Sequence, residues 1–189
     1  KLLDVCGELR ASEQVDERAV TGCSFDSRAV SAGDVFFCKG AAFKPAFLRM
    51  ALDAGAVAFV CEESLVESLE PLAQESGAAM LVVDSVRTAM ALLPPEVYDR
   101  PDHDVKIVGI TGTKGKTTAA FMLQSIIKAA GESCGMIGSV STDDGIECYE
   151  STNTTPEAPE VWRHIANCRT SGRQSMVMEV SSQALKYQR

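Results

Sequence analysis

The sequence predicts an α/β protein with two domains, a small N-terminal α/β domain and a second domain built on a mostly parallel sheet. Two observations lead to this prediction. Short apolar runs rich in valine and isoleucine recur along the 189 residues, and segments with helical patterns separate them. Alternation of buried strands with helices is typical of parallel sheets that helices cover on both faces.

Five apolar runs are short enough to be strands and too continuous to be half exposed. We expect each to be a strand buried on both faces, as in the interior of a parallel sheet. In chain order they are AVAFVC (56–61), AMLVV (79–83), VKIVGIT (105–111), CGMIGSV (134–140) and SMVMEVS (175–181).

Three helical patterns lie among these runs, and each reaches a glycine that is expected to stop the helix. They are AFLRMALDAGA (46–56), TTAAFMLQSIIKAAG (117–131) and PEAPEVWRHIANCRTSG (156–172). At the start of the third helix, Thr154 and Glu157 have the spacing of a capping box. Thr155 before Pro156 has the sequence of an N-cap followed by proline at the first helical position.

Residues 92–104, LLPPEVYDRPDHD, interrupt both patterns with three prolines and three aspartates. Such a composition is typical of a connecting segment. We therefore predict a first domain over residues 1–103 and a second domain from residue 104 to 189. His103 falls in this connection and His164 in the third helical pattern, and neither suggests a metal site.

The composition excludes several classes of protein. A formal charge of −8 disfavours a nucleic-acid-binding surface, and no apolar run is long enough to span a membrane. The seven cysteines are scattered without a CxxC pair, and several lie in apolar runs. Free thiols of this kind suit a reducing compartment, so we expect a cytoplasmic protein without a signal peptide.

Residues 105–131 combine a predicted strand, the glycine-rich turn GTKGK and a helix that begins at the turn. Glycines let backbone N–H groups approach a bound phosphate, and a helix N-terminus adds a partial charge of about +0.5. Lys116 would reach the β- and γ-phosphates, while the hydroxyl of Thr117 would hold Mg²⁺. The stretch therefore predicts a phosphate-binding loop.

The spacing of this loop differs from the general pattern G-x-x-x-x-G-K-[ST]. Ile110 stands at the position of the first glycine, and Gly109 lies one residue earlier. A glycine-rich connection with an incidental lysine is the alternative, but the strand–turn–helix context favours the phosphate loop.

Four ordered motifs resemble those of the Mur ligases, ATP-dependent enzymes that add amino acids to the peptidoglycan precursor. TGTKGKTT (111–118) is similar to their TGTNGKTT signature. Three further stretches resemble segments of the members that add the third amino acid: DSRAVSAGDVFFCKG (26–40), STNTTPE (151–157) and MEVSSQALKYQR (178–189). On these motifs the chain is identified as a member of this family, of the UDP-N-acetylmuramoyl-tripeptide synthetase type.

The resemblance implies a uridine-nucleotide domain over 1–103 and the first part of a P-loop-type central ATPase domain over 104–189. It also implies a ligase of peptidoglycan synthesis and cell wall biogenesis that uses ATP and Mg²⁺. In the family, ATP phosphorylates a carboxylate of UDP-N-acetylmuramoyl-dipeptide. The amine of the incoming amino acid then displaces phosphate from the acyl phosphate. The implied partners are these two substrates, without nucleic acid or membrane.

The same resemblance implies four groups of site residues. Lys116 would be catalytic, and Thr117 and Glu179 would hold the metal. The nucleotide-binding residues would be Gly112, Thr113, Lys114, Gly115, Lys116, Thr117 and Thr118. The substrate-binding residues would be Ser27, Asn153, Thr154, Thr155, Ser181 and Arg189. Without the resemblance, residues 26–28 are a polar turn and Glu179 is a surface acid at a strand end.

The sequence departs from the family pattern at four places. Lys114 replaces asparagine, Gln183 replaces histidine, and Tyr187 stands where many members have glutamine. AAFKPAFL (41–48) replaces a histidine-containing, aspartate- and glycine-rich loop, which puts the contacts to the uridine diphosphate there in question.

The 189 residues do not reach the family's carbamoylated lysine or the C-terminal domain that selects the amino acid. We therefore expect this chain alone to be inactive as a ligase. Two alternatives stay open: another ligase of the Mur or folylpolyglutamate type, and a non-catalytic nucleotide-binding relative. The sequence GKTT, where folate enzymes have GKGS, favours a third-step Mur ligase together with NTTPE and EVSS.

Overall fold

The computed structural model describes residues 8–9 and 20–189. The chain divides into two compact units, Lys1–Tyr98 and Asp99–Arg189. Among the described residues, no helix combines the length and apolar character that crossing a membrane requires.

A five-stranded sheet forms the centre of the first unit, in the order β1-β5-β4-β3-β2. The strands are β1 Glu8–Leu9, β2 Gly22–Ser24, β3 Asp34–Phe37, β4 Ala58–Glu62 and β5 Ala79–Val83. Strands β2 to β5 run parallel, whereas β1 pairs antiparallel with β5. Among residues 20–98, three helices accompany the sheet: α1 Pro45–Asp53, α2 Val66–Ser76 and α3 Val86–Val97.

This sheet has an apolar layer on each face because successive strand residues point in opposite directions. Phe36 packs with α1 and α2 on one face, and its neighbour Phe37 packs with α3 on the other. The largest fully buried side chains of the two layers are Phe36, Phe37, Leu48, Phe59, Leu69, Met90 and Leu93.

The second unit contains a five-stranded sheet in the order β6-β10-β7-β8-β9. The strands are β6 Lys106–Ile110, β7 Cys134–Ile137, β8 Ser141–Asp143, β9 Cys148–Glu150 and β10 Ser175–Glu179. β10 runs parallel to both β6 and β7, while β8 and β9 extend the sheet as antiparallel strands. The carboxyl ends of β6, β10 and β7 therefore lie side by side at one edge.

Helices α4 Lys116–Ala129 and α5 Ala158–Thr170 cover opposite faces of this second sheet, and the short helix α6 Ser182–Lys186 follows β10. Val177 belongs to the apolar cluster that includes Ala120 of α4, and Met176 belongs to the cluster that includes Ile165 of α5. β10 is thus buried on both faces, as the sequence predicts.

The structure corrects two of the strand predictions. CGMIGSV is not one strand, because the chain turns after Ile137, with the N–H of Gly138 bonded to the carbonyl of Ser141 at 3.1 Å, and returns as β8. β6 is not buried on both faces, since it lies at an edge of the sheet and exposes Lys106 and Gly109.

The expected connection over residues 92–104 begins later than its prolines suggest. α3 continues through Pro94 and Pro95 to Val97, and both prolines are buried. Proline removes a backbone donor near the end of a helix, but burial of the two apolar rings offsets part of that loss. α2 and α3 are also helices that the three predicted helical patterns do not include.

Candidate functional site

The glycine-rich loop, residues 111–115, follows β6 and leads directly into α4, and all five residues are exposed. Gly115 is the N-cap residue of α4 and has a φ of 78°, a left-handed conformation that glycine adopts with little strain. Glycine carries no side chain that could cap the helix. The N–H groups of the first turn can therefore bind an anion.

Lys116 is the first residue of α4 and is partly buried. Its Nζ donates a hydrogen bond to the carbonyl oxygen of Gly112 at 2.9 Å. The ammonium group therefore lies against the loop that it is predicted to serve. The neighbouring residues Thr113, Lys114 and Thr118 are exposed.

Glu179, the last residue of β10, is completely buried although it carries a carboxylate. The hydroxyl of Thr117 donates to Oε2 at 2.9 Å, and the N–H of Ser139 donates to Oε1 at 2.8 Å. The hydroxyl of Ser139 lies 3.2 Å from Oε2. Glu179 thus connects α4 with the turn that follows β7.

The segment that contains Thr154 and Thr155 approaches the same carboxylate from another direction. Thr154 Oγ1 lies 3.0 Å from Ser139 Oγ. The hydroxyl of Thr155 donates to the main-chain carbonyl of Glu179 at 2.8 Å and accepts from the N–H of Ser181 at 3.1 Å. Five of the predicted site positions, 117, 154, 155, 179 and 181, are therefore joined in one network.

The N-cap prediction at Thr155 is wrong. α5 begins at Ala158, its N-cap is Glu157, and the capping box joins Glu157 with Glu160. Because the hydroxyl of Thr155 is bonded to backbone groups near Glu179, it does not cap the helix.

Ser181 and Arg189 lie at the two ends of the last helical segment. The side chain of Ser181 is the N-cap of α6 and accepts the N–H of Ala184 at 3.1 Å. Arg189 forms an ion pair with Glu157, with 3.2 Å between Nε and Oε1. The structure thus places Arg189 beside Glu157, the residue that precedes α5. Thr154 and Thr155 lie shortly before Glu157 in the chain.

Comparison with known proteins agrees with this arrangement. Residues 110–189 match the model of the Mur ligase middle domain. The chain is 40% identical over 170 residues to a UDP-N-acetylmuramyl-tripeptide synthetase of Lactobacillus delbrueckii subsp. bulgaricus. The aligned residues cover 88% of this chain and 32% of the relative. Residues 110–189 are therefore similar to a Mur ligase middle domain.

Two further comparisons give the similarity over most of the chain. A UDP-N-acetylmuramoyl-L-alanyl-D-glutamate–L-lysine ligase of Enterococcus faecalis is 38% identical over 183 residues, covering 96% of this chain and 34% of the relative. A solved structure of a UDP-N-acetylmuramoyl-L-alanyl-D-glutamate–2,6-diaminopimelate ligase superposes with a TM-score of 0.65 at 21% identity, which supports the fold. The superposition covers 88% of this chain and 33% of the solved chain. The chain spans about a third of the length of these relatives.

Ser27 belongs to the first unit and lines an open pocket of about 440 Å³. Apolar and charged side chains share this lining, among them Phe25, Phe43, Phe47, Arg28 and Lys39. Lys39 Nζ lies 4.6 Å from the centre of the Phe25 ring.

Asp26 and Arg28 form an ion pair across the turn that contains Ser27. Two guanidinium nitrogens of Arg28 lie 2.9 and 2.6 Å from the two carboxylate oxygens of Asp26. The side-chain hydrogen bond from Arg28 lowers the pKa of Asp26. The polar turn expected from the sequence therefore forms, and it also borders a pocket.

Three of the residues that depart from the Mur ligase pattern lie on the surface. Lys114, Gln183 and Tyr187 are all exposed, as is Asn153, which was predicted to bind substrate. The structure does not bring Asn153 into the network around Glu179, although its neighbour Thr154 takes part.

The donor set around Glu179 fits Mg²⁺. A carboxylate oxygen and a hydroxyl oxygen 2.9 Å apart are hard oxygen ligands of the kind that Mg²⁺ prefers. Among residues 20–189, the side-chain hydrogen-bond donors to Glu179 are the neutral hydroxyls of Thr117 and Ser139. Neither of these partners carries a positive charge that would take the place of a bound cation.

Two features of the second unit escaped the sequence analysis. The first is Ser139, whose contact with Glu179 depends on how β7 and β10 pair, and no motif marks it. The second is His164, which is completely buried and lies 2.6 Å from Asp144 through Nδ1 and 3.0 Å from the Tyr149 hydroxyl through Nε2. The turn residues Asp144 and Gly145 between two short strands are the nearest sequence signal for this cluster.

Asp144, Glu147 and His164 are close enough to hold a metal ion together. The Asp144 carboxylate already accepts bonds from His164, from Asn167 at 2.8 Å and from two backbone N–H groups of its own turn. Glu147 is paired with Arg163. Because both carboxylates have partners, this cluster stabilises the fold and gives no second argument for a metal.

The pKa of Asp144 reflects these contacts. Burial raises this pKa, but hydrogen bonds from the N–H of Glu147, from His164 and from Asn167 outweigh burial and hold the pKa below its usual value. Asp144 is therefore ionised when the protein is folded at neutral pH.

Proposed function

We propose that this chain carries the ATP-binding and muramoyl-substrate-binding parts of a ligase that adds the third amino acid to UDP-N-acetylmuramoyl-dipeptide. The observation that carries the proposal is the position of Glu179 between Thr117 of the phosphate loop and the Thr154–Thr155 segment. A ligase that transfers a phosphoryl group to a carboxylate needs its nucleotide and its acid substrate next to each other. The names of the two sequence relatives support this reaction class.

Lys116 has the catalytic role in this proposal. Its ammonium group exchanges the Gly112 carbonyl for the terminal phosphates and neutralises negative charge there as the phosphoryl group moves to the substrate carboxylate. Phosphoryl transfer depends mainly on positioning and charge neutralisation, and both are supplied by this lysine, the loop amides and the start of α4. In the second part of the reaction an amine nitrogen bonds to the activated carbonyl carbon, phosphate leaves and the amine loses a proton.

Thr117 and Glu179 would hold Mg²⁺, which supplies further charge neutralisation when it is bound. The hydrogen bonds from Ser139 would still hold the Glu179 carboxylate if Thr117 and Glu179 both contacted the ion. Thr113, Lys114, Gly115 and Thr118 surround the phosphates in this proposal, with Lys114 adding a cation that the family signature lacks.

The substrate would extend from the Thr154–Thr155 segment toward Ser181 and Arg189, with Asn153 at its exposed side. A uridine diphosphate group would occupy the pocket at Ser27 in the first unit. The proposed third amino acid is a diamino acid, because the relatives that name it specify L-lysine or 2,6-diaminopimelate.

The same proposal places the reaction in the cytoplasm. The six cysteines among the described residues are free thiols, and five of them are buried. Burial raises the pKa of Cys61 to about 11, which keeps this thiol protonated and unreactive at neutral pH. Unpaired cysteines suit a reducing compartment.

Replacement of Lys116 by alanine tests the nucleotide site. A hydrogen bond to a charged group contributes about 1.5–3 kcal/mol, so binding of a fluorescent ATP analogue to the 189-residue chain should weaken by about tenfold to a hundredfold. Lys128→Ala, an exposed lysine in the last turn of the same helix, is the matched control and should leave the affinity unchanged. Equal affinities of Lys116→Ala and wild type would show that the loop does not bind phosphate through this lysine.

A further inference from the structure

Ser139 contributes two hydrogen bonds to one carboxylate. It follows β7, which pairs with β10 so that Ile137 lies opposite Met178. This pairing brings the Ser139 N–H to 2.8 Å from Oε1 of Glu179 and the Ser139 hydroxyl to 3.2 Å from Oε2. One residue therefore contacts both oxygens of a completely buried acid.

The number of protons limits the bonds of the Ser139 hydroxyl. Ser139 Oγ lies near both Glu179 Oε2 and Thr154 Oγ1, but a hydroxyl has a single proton. The Ser139 hydroxyl can therefore donate either to Glu179 Oε2 or to Thr154 Oγ1. Ser139 thus links the Thr154 hydroxyl with the Glu179 carboxylate.

Gly138 also restricts the position of the carboxylate. A Cβ atom at this position would lie 2.6 Å from Glu179 Oε1, which is closer than real Cβ contacts. The carboxylate therefore packs directly on the backbone of Gly138. Together with the two donors of Ser139, this contact leaves the carboxylate one orientation, with Oε2 toward Thr117.

We propose that Ser139 is a positioning residue that fixes the Glu179 carboxylate for a divalent cation and couples the Thr154 hydroxyl to the same cation. The inference rests on the proposed function, because it assigns the cation to Thr117 and Glu179. When the Thr117 hydroxyl turns to a metal, Ser139 supplies the donors that still hold the carboxylate. A substitution at Thr154 therefore alters the affinity for the metal through the Ser139 hydroxyl.

Binding of Mn²⁺ alone to the 189-residue chain, followed by the EPR signal of free Mn²⁺, tests this proposal. Loss of a residue that orients a metal ligand typically lowers metal affinity by about 10- to 100-fold. We expect a Mn²⁺ site that Glu179→Gln removes and that Ser139→Ala weakens by about tenfold. Ser139→Thr keeps the hydroxyl and should restore the affinity to near that of wild type.

Two further variants separate positioning from general structural damage. Ser125→Ala removes a hydroxyl that bonds to the Phe121 carbonyl within α4, and it should leave Mn²⁺ affinity unchanged. Thr154→Val should weaken Mn²⁺ binding only when Ser139 is present, so the effects of Ser139→Ala and Thr154→Val should not add. The thermal midpoint of every variant shows whether it is folded.

Each result decides the proposal. Wild-type affinity in Ser139→Ala, additive effects of the two substitutions, or absence of a Glu179-dependent Mn²⁺ site would overturn it. Failure of the proposed function has a different signature, namely no binding of the ATP analogue by wild type or no effect of Lys116→Ala.

Discussion

The second unit buries two acidic side chains, and their partners differ. Asp144 meets an imidazole, an amide and two backbone N–H groups, which together occupy its carboxylate. Glu179 meets two hydroxyls and an amide N–H, all neutral. Burial of a charge is costly unless partners offset it. The partners of Asp144 thus occupy its carboxylate, whereas the partners of Glu179 include the Thr117 hydroxyl, which could give way to a divalent cation.

Replacement of Asp144 by asparagine should destabilise the protein. The new amide group would face the donors of His164 and Asn167 and leave some of them unpaired. Breaking a buried pair costs about 3–5 kcal/mol, and urea unfolding at pH 7 would measure this loss. Glu150→Gln, an exposed acid on the neighbouring strand β9, should change the free energy of unfolding by less than about 0.5 kcal/mol.

The destabilisation should also depend on pH. Because folding lowers the pKa of Asp144, its contribution is fully present above the unfolded pKa of about 3.9 and is lost as pH falls through the lower folded pKa. The difference between wild type and Asp144→Asn should stay constant from pH 7 to pH 5 and shrink below pH 4. A difference that grows on acidification would contradict the assigned direction of the pKa shift.

Among single residues, the sequence identifies those that belong to a local motif. Lys116 and Thr117 begin α4 directly after the glycine-rich loop, so neighbouring residues in the chain indicate their chemistry. Ser139 is 40 residues away from Glu179 in sequence, and their contact depends on the pairing of β7 with β10. His164 escaped for the same reason, since its partner Asp144 comes from a turn 20 residues earlier.

Among elements, the continuous apolar runs are easiest to predict. β5 has the predicted bounds, 79–83, because the whole run is needed to fill both faces of the sheet. The antiparallel strands β8 and β9 are only three residues each, and β9 is exposed, so neither has an apolar pattern. α3 was missed because Pro94 and Pro95, which usually end a helix, are tolerated here as buried apolar groups.

The pocket beside β2 and β3 is expected to bind uridine diphosphate. Titration of the 189-residue chain should shift NMR resonances of residues 25–43 and of the lining residues on α1. Stacking of a base on an aromatic ring contributes about 1–3 kcal/mol, so Phe47→Ala should weaken binding by roughly fivefold or more. Phe47 is 39% exposed, and Phe121 on α4, at 37%, offers a matched control that should have no effect.

Two results would count against this pocket. One is a set of shifts confined to residues outside the pocket at millimolar uridine diphosphate. The other is the same set of shifts with inorganic pyrophosphate alone, which would show that the nucleoside is not recognised.

For the molecule as a whole, we expect nucleotide binding without peptide-bond formation by the 189 residues. Loop amides and the start of α4 are local features that can bind phosphates without much of the remaining protein. Joining the activated substrate to an amine requires both to be held together away from water, and this chain spans about a third of its relatives. Phosphate release with ATP, muramoyl-dipeptide and a pool of amino acids should therefore stay at the background rate.

The assay needs a positive control, for which a full-length relative under the same conditions is suitable. Amino-acid-dependent phosphate release together with a ligated product from this chain alone would show that the expectation is wrong.

The strand order has a consequence for folding during synthesis on the ribosome. β10 occupies a place between β6 and β7, yet it is synthesised after both of them. Glu179 emerges 62 residues later than Thr117, to which it is bonded in the finished molecule. Until then β6 and β7 lack the strand that joins them, and their apolar faces remain available to other chains or to chaperones. During synthesis the phosphate loop is thus present before Glu179. Insertion of β10 then joins β6 to β7 and brings Glu179 to Thr117 in one step.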